Sequence, residues 1–109
     1  MGGRIRQATI GNIRELLQGE RPVVVDFWAN WCGPCHVMTP ILRDMSEKFE
    51  DQIIFAKVDV QRSGDLAEQF GVTTIPTLIL FRNGKEWDRL SGIRNRSQLS
   101  KLFGKLISA

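Results

Sequence analysis

Apolar residues recur along the chain with two spacings, one typical of helices and one typical of buried strands. At intervals of three and four, they predict helices over residues 9–18, 35–49 and 63–70 and from near Ser97 to the end of the chain. Short β-branched and aromatic runs predict strands over residues 23–28, 53–60, 77–81 and 86–90. A weaker strand is predicted around residues 4–8, where only Ile5 and Ala8 are apolar.

The order of these elements predicts an α/β fold. A β-α-β unit occupies the middle of the chain, and Asn83-Gly84 predicts a hairpin between the last two strands. Residues 23–28 are almost wholly apolar, which is typical of a central strand covered on both faces. We therefore expect a three-layer α/β/α sandwich around a central mixed sheet. At 109 residues and with no linker, residues 1–109 are predicted to form one domain.

Charge and hydropathy narrow the possible partners. The net charge is +3, and residues 82–109 hold seven basic and two acidic side chains. An acidic partner or a nucleic acid would suit this region, but no aromatic side chains interleave with the arginines to form a stacking surface. No apolar run approaches the length of a membrane span or of a secretory leader. We expect a solvated basic face on a cytoplasmic protein that binds neither nucleic acid nor membrane.

The two cysteines, Cys32 and Cys35, indicate redox chemistry. A disulfide framework would use more cysteines, and a mononuclear zinc site needs about four ligands, whereas the chain offers two thiols and one histidine. A CxxC motif beside a β-α-β unit is typical of thiol–disulfide exchange. Other uses stay open: inert thiols, or a zinc or iron–sulfur site shared by two chains.

The position of the motif suggests different roles for the two sulfurs. Cys32 lies between a predicted strand and a predicted helix, where unpaired N–H groups and the helix dipole favour a thiolate. Cys35 lies one turn further on and is expected to be less exposed. We therefore predict that Cys32 attacks a substrate disulfide and that Cys35 resolves the mixed disulfide.

Asp26 is the only ionisable residue in the predicted central strand. Burial of a carboxylate without a partner is costly, so we expect a raised pKa and a group able to accept a proton near neutral pH. A structural aspartate held by backbone hydrogen bonds is the alternative.

Residues 25–35, VDFWANWCGPC, resemble the thioredoxin family almost position for position. Lys57-Val58-Asp59, Ile75-Pro76-Thr77 and the Asn83-Gly84 hairpin are also similar, so the resemblance covers essentially the whole chain. It implies the thioredoxin fold, with strand order 1-3-2-4-5, and reduction of disulfides in other proteins. Gly33-Pro34 resembles the dipeptide of the reducing members of the family.

The resemblance also implies roles for other residues. Asp26 would act as base for Cys35, directly or through water, with Lys57 nearby. The bond before Pro76 would be cis, although a trans bond is the ordinary expectation. The implied docking surface is apolar and surrounds the nucleophile; it comprises Trp31, Gly33, Pro34, Ile75, Pro76 and Gly92. Gly92 has an alternative reading as a turn glycine.

The resemblance further implies a monomer without a bound cofactor. An external thioredoxin reductase would regenerate the dithiol, either a flavin enzyme that uses NADPH or a ferredoxin-linked enzyme. His36 departs from the family pattern, in which lysine or arginine commonly follows the second cysteine. Because the charge of a histidine depends on pH, we hypothesise that His36 tunes the Cys32 thiolate in a pH-dependent way. A non-catalytic subunit that binds a partner through the same surface is the rival function.

Overall fold

The computed structural model describes residues 4–109, which form five strands and four helices. In chain order they are β1 (Ile5–Gln7), α1 (Ile13–Gln18), β2 (Val23–Trp28), α2 (Gly33–Lys48), β3 (Ile54–Asp59), α3 (Gly64–Gln69), β4 (Thr77–Arg82), β5 (Lys85–Ser91) and α4 (Arg96–Ser108). Within this range no helix combines the length and the apolar character that crossing a membrane requires.

The strands form one mixed sheet in the order β1-β3-β2-β4-β5, which confirms the strand order implied by the family resemblance. β3 pairs in parallel with β1 and β2, while β4 pairs antiparallel with β2 and β5. The register places Asp26 on the central strand opposite Lys57 on one side and Leu78 on the other.

Helices cover both faces of the sheet, as the apolar run in β2 predicts. Alternate β2 residues face opposite sides because side chains alternate along a strand. Val24 packs in the core under α2 and α4, with Met38, Leu42 and Phe103. On the other face, beside α1 and α3, the core contains Val23, Val25, Phe27, Ile79, Phe81 and Leu66. The predicted three-layer arrangement is confirmed.

Two predicted helix starts were wrong. The first helix was expected over residues 9–18, but α1 begins at Ile13. The Asn12 side chain explains the difference, because its Oδ1 accepts a hydrogen bond from Thr9 N at 2.8 Å and its Nδ2 donates one to Gln7 O at 2.8 Å. These local bonds favour a turn over a helix.

The second helix, α2, begins at Gly33, two residues before the predicted start at Cys35. Gly33 and Pro34 are poor residues for a helix interior, but proline is well suited to the first turn, where its missing N–H has no intrahelical partner to lose. Cys32 is therefore the N-cap of α2. Pro40 lies inside the same helix, where we predict a kink because proline lacks the N–H of an intrahelical hydrogen bond.

The hairpin and the last helix closely follow the sequence prediction. Asn83 and Gly84 have φ values of 54° and 77°, the left-handed conformation that this dipeptide favours. α4 begins one residue before the predicted Ser97, after an N-cap at Asn95 whose side chain accepts a hydrogen bond from Gln98 N. The Gln98 side chain accepts one from Asn95 N in return, which completes a capping box.

Candidate active site

Cys32 and Cys35 form a disulfide at the N-terminus of α2, with their Cα atoms 5.3 Å apart. Cys35 N also donates a hydrogen bond to Cys32 Sγ at 3.2 Å. The Cys32 sulfur therefore lies at the positive end of the helix dipole and within reach of a backbone donor. After reduction of the disulfide, both features favour a thiolate at Cys32 over a thiol.

Exposure alone does not separate the two sulfurs. Cys32 is 5% exposed and Cys35 is 3% exposed, so both are buried in the oxidised protein. They pack with Ala29 and against the half-buried side chain of Ile75. Their assignment as attacking and resolving residues depends on their places in the helix, and it stays a prediction.

The predicted docking residues come together around the disulfide. Trp31 is 68% exposed immediately before Cys32, and Gly33 and Pro34 are exposed after it. The bond between Ile75 and Pro76 is cis, as the resemblance implies. Ile75 contacts the cysteine cluster and brings this bond next to the disulfide.

Gly92 lies on the same face because its N–H donates a hydrogen bond to Pro76 O at 2.9 Å. Its φ of +87° is strained for any other residue, so the backbone requires glycine here. The alternative reading of a turn glycine therefore has a structural basis, and docking at Gly92 stays a prediction.

Asp26 lies in β2 beneath the cysteine motif. Its Oδ1 is buried and has no hydrogen-bond partner within residues 4–109. Burial raises the pKa of Asp26 to about 7, although the positive charge of Lys57 acts in the opposite direction. A carboxyl with this pKa exchanges protons readily at neutral pH.

Lys57 is positioned by the sheet register opposite Asp26. Its ammonium group lies 5.5 Å from the centre of the Trp28 ring, within the range of a cation–π interaction. Trp28 thus packs against Lys57 as well as against the cysteine cluster.

A cavity of about 270 Å³ connects these groups. Its lining includes Asp26, Trp28, Lys57, Asn30, His36 and Thr39. A cavity of this size has room for several water molecules, each of which occupies about 30 Å³ in the liquid. Within residues 4–109, Asp26 makes no hydrogen bond to either cysteine, and neither cysteine lines this cavity.

His36 lies at the edge of the cavity and reaches back across the motif. Its Nε2 is 2.6 Å from the carbonyl oxygen of Asn30, to which the protonated nitrogen donates. The imidazole therefore links the first turn of α2 to the loop before Trp31. Sequence reasoning placed His36 near Cys32 but missed this contact with Asn30, for which the sequence contains no signal.

Asn30 and Thr39 were also missed as cavity residues. Thr39 Oγ1 donates a hydrogen bond to Cys35 O at 3.2 Å and lies one turn after the resolving cysteine. Its i+4 spacing from Cys35 was a usable signal, because residues four apart share a helix face. Within residues 4–109, no three His, Cys, Asp or Glu side chains converge on one point.

Comparison with known proteins identifies the family. The thioredoxin family model matches residues 6–105. A thioredoxin from Alicyclobacillus acidocaldarius subsp. acidocaldarius is 43% identical over 91 residues, which cover 84% of this chain and 87% of that protein. The chain belongs to the thioredoxin family. It is accordingly a protein-disulfide oxidoreductase, and Cys32–Cys35 is its redox-active pair.

Other relatives extend the comparison to plants and fungi. The chloroplastic thioredoxin Y2 of Arabidopsis thaliana is 42% identical over 95 residues, 86% of this chain but 57% of that longer protein. The solved structure of the Malassezia sympodialis thioredoxin (Mala s 13) superposes with a TM-score of 0.88 at 30% identity, and covers 96% of this chain and 92% of that one. The thioredoxin fold is thus confirmed in both sequence and structure.

Proposed function

We propose that the chain reduces disulfides in other proteins, with Cys32 as nucleophile and Cys35 as resolving thiol. The observation that carries this assignment is the disulfide at the N-terminus of α2, where Cys32 is the N-cap and accepts a hydrogen bond from Cys35 N. This location stabilises negative charge on one particular sulfur.

The reaction has two exchange steps. The Cys32 thiolate attacks one sulfur of the substrate disulfide, the substrate S–S bond breaks, and the departing thiolate takes a proton from solvent. Cys35 then loses its proton and attacks Cys32 Sγ in the mixed disulfide. This second step forms the Cys32–Cys35 disulfide and releases the other substrate thiolate, so two electrons pass from the dithiol to the substrate.

Asp26 is the proposed base for the second step. Its buried Oδ1 and its pKa of about 7 suit a group that accepts a proton from the Cys35 thiol, directly or through water. Lys57 limits the rise of that pKa and so keeps a useful fraction of Asp26 ionised at neutral pH. Without Lys57, the carboxyl would be protonated more fully and less able to act as a base.

The proposed substrate surface is the apolar face around the disulfide. Trp31, Gly33 and Pro34 flank the nucleophile, while Ile75, Pro76 and Gly92 form its opposite side. An extended substrate segment would pair with the backbone of Ile75 and place its disulfide over Cys32.

The electron donor is proposed to be an external thioredoxin reductase, either NADPH- and flavin-dependent or ferredoxin-linked. We propose that the chain uses no cofactor of its own, because the two sulfurs carry both electrons. We also propose that residues 1–109 act as one domain and as a monomer. A cytoplasmic location suits a dithiol that must be kept reduced, and the chloroplastic relatives indicate the alternative compartment.

An insulin-reduction assay tests the proposed function. With dithiothreitol as donor, the wild-type chain should accelerate precipitation of the insulin B chain, and the double variant Cys32→Ser, Cys35→Ser should not. Replacement of dithiothreitol by each type of reductase then identifies the donor. Equal rates for the wild type and the double variant would contradict the proposal and favour a non-catalytic binding role.

A further inference from the structure

A basic groove lies beside the loop that contains Gly92. This groove, which we call the α4 groove, has a volume of about 450 Å³ and lies between β5 and α4. Its lining includes Asp88, Leu90, Arg94, Gln98, Lys101 and Lys105. Arg89 also lines it, so the groove contains four cationic side chains and one carboxylate, together with apolar side chains such as Leu90.

Only one of the four cations of the α4 groove, Arg89, is used in an ion pair within the described residues. Arg89 pairs with Glu86, and Arg96 pairs with Asp44. Within residues 4–109, Arg94, Lys101 and Lys105 have no carboxylate oxygen within 4.0 Å. Their charges are thus available to an external anion, and they account for much of the basic excess of residues 82–109.

Arg94 is held next to the proposed substrate surface. Its Nη1 donates to Ser91 O at 2.9 Å and to Ile93 O at 3.1 Å. A Cβ placed on Gly92 would lie 3.7 Å from the same nitrogen, and Gly92 itself is bonded to Pro76 O. The half-buried guanidinium therefore forms the rim of the surface that contains the cis bond.

The backbone of Arg94 is fixed as well. Arg94 N donates to Met38 Sδ at 3.5 Å, which ties this loop to α2 about one turn after Cys35. The Nε and Nη2 atoms of Arg94 make no hydrogen bond in the part of the chain that the structure describes, and they form the free edge of a planar donor. Such an edge matches the two oxygens of a carboxylate.

We propose that Arg94 selects disulfide substrates that carry an aspartate or glutamate a few residues from the reacting cysteine. The inference rests on the proposed function and specifies its substrate class. The substrate carboxylate binds the free edge of Arg94, while Ile93, which is 46% exposed, contacts the neighbouring apolar side chain. Longer acidic segments continue along the α4 groove to Lys101 and Lys105.

The expected effect is a preference among substrates and not a condition for activity. A partly exposed ion pair contributes modestly to the free energy of substrate binding, which corresponds to about a two- to fivefold change in rate. Because the backbone already holds the guanidinium, little side-chain freedom is lost when a carboxylate binds. The preference should weaken in high salt, since the screening length falls from about 10 Å at 0.1 M to about 3 Å at 1 M.

The test uses pairs of synthetic peptide disulfides that differ only by glutamate or glutamine. The substitution is placed two, three, four or five residues from the cysteine, one position in each pair. Pre-reduced wild-type chain is mixed with each peptide, and the second-order rate of reduction is measured at low and high salt. At one position or more, the glutamate peptide should react about two to five times faster at low salt, and the advantage should shrink at 1 M salt.

Variants assign the preference to Arg94. Arg94→Gln should bring the glutamate-to-glutamine rate ratio close to one, and Arg94→Lys should retain part of it. Arg14→Gln is the matched control: it removes the same charge beside the Asn83-Gly84 turn, at the other end of the sheet, and should keep the wild-type ratio.

Either of two results would overturn this inference without contradicting the proposed function. One is a wild-type glutamate-to-glutamine rate ratio near one at every position, and the other is an Arg94→Gln ratio equal to that of the wild type. In both cases the peptides are still reduced, so the proposed function survives. If the wild type reduces none of the peptides, the proposed function fails and the inference fails with it.

Discussion

Replacement of Asp26 by alanine should stabilise the oxidised protein at neutral pH while slowing its turnover. The carboxyl lies in the central strand, and its Oδ1 is buried without a hydrogen-bond partner in residues 4–109. Its charged form is therefore disfavoured in the folded state, as the pKa of about 7 reflects. Alanine removes that charge and with it the proposed base for Cys35.

The size of the stability effect follows from the pKa. Below pH 3.8 the carboxyl is protonated in both the folded and the unfolded chain. As the pH rises from 3.8 towards 7, the unfolded chain loses this proton first, so the wild-type free energy of unfolding falls. For a shift from 3.8 to about 7, the loss amounts to about 4 kcal/mol at pH 7, and it levels off above that pH.

Urea unfolding of the oxidised forms between pH 4 and pH 8 measures this effect. Water in the neighbouring cavity screens part of the charge. We therefore expect the free energy of unfolding of Asp26→Ala to exceed that of the wild type by about 2 to 4 kcal/mol at pH 7. At pH 4 the difference should be less than about 1 kcal/mol. Asp51→Ala is the matched control, because Asp51 is exposed and its removal should leave the pH dependence unchanged.

Turnover provides the second readout of the same variant. Loss of a positioned base typically costs about 10²-fold or more, although water takes over part of the role here, so we expect a decrease on the order of tenfold in insulin reduction. The single-turnover rate of attack by Cys32 should change less than the rate of resolution. Parallel stability curves for the wild type and Asp26→Ala across the whole pH range would refute the reasoning.

Three further predictions concern the cysteines, the histidine and the core. Cys35→Ser should accumulate mixed disulfides through Cys32, which mass spectrometry of trapped adducts detects; adducts on Cys35 in Cys32→Ser would reverse the roles. At low salt, iodoacetamide should alkylate Cys32 faster in reduced His36→Lys than in reduced His36→Ala, because a cation one turn along the helix favours the Cys32 thiolate; equal rates would show that charge at position 36 has no influence. Phe103→Ala should lower the free energy of unfolding by about 3 to 5 kcal/mol in urea titrations, because its fully buried ring contacts two other phenylalanines edge to face; a loss below about 1 kcal/mol would contradict this packing.

The fold was largely predictable because hydrophobic spacing determines which faces must be buried. The apolar run in β2 indicated helices on both sides of the sheet, and Asn83-Gly84 indicated the hairpin. The order of the strands came only from the family resemblance, since spacing along the chain does not specify which strands are neighbours. The start of α1 was mispredicted because the hydrogen bonds of Asn12 outweigh the helical spacing of Ile10.

The site was predictable where chemistry depends on local position and not where it depends on tertiary contacts. The sequence showed that Cys32 precedes a helix and that Asp26 lies within an apolar strand. The contact between His36 and Asn30 O depends on how the loop returns to α2. The placement of Arg94 beside Gly92 similarly depends on the hydrogen bonds of one loop, which no residue pattern specifies.

A stoichiometric reduction experiment tests the central claim most directly. The pre-reduced chain is mixed with an excess of a peptide disulfide without any other reductant, the reaction is quenched with an alkylating agent, and the products are mapped by mass spectrometry. We predict that each chain releases two substrate thiols and ends with an intramolecular Cys32–Cys35 disulfide. Recovery of both cysteines in their alkylated form, with no substrate thiols released, would contradict the claim.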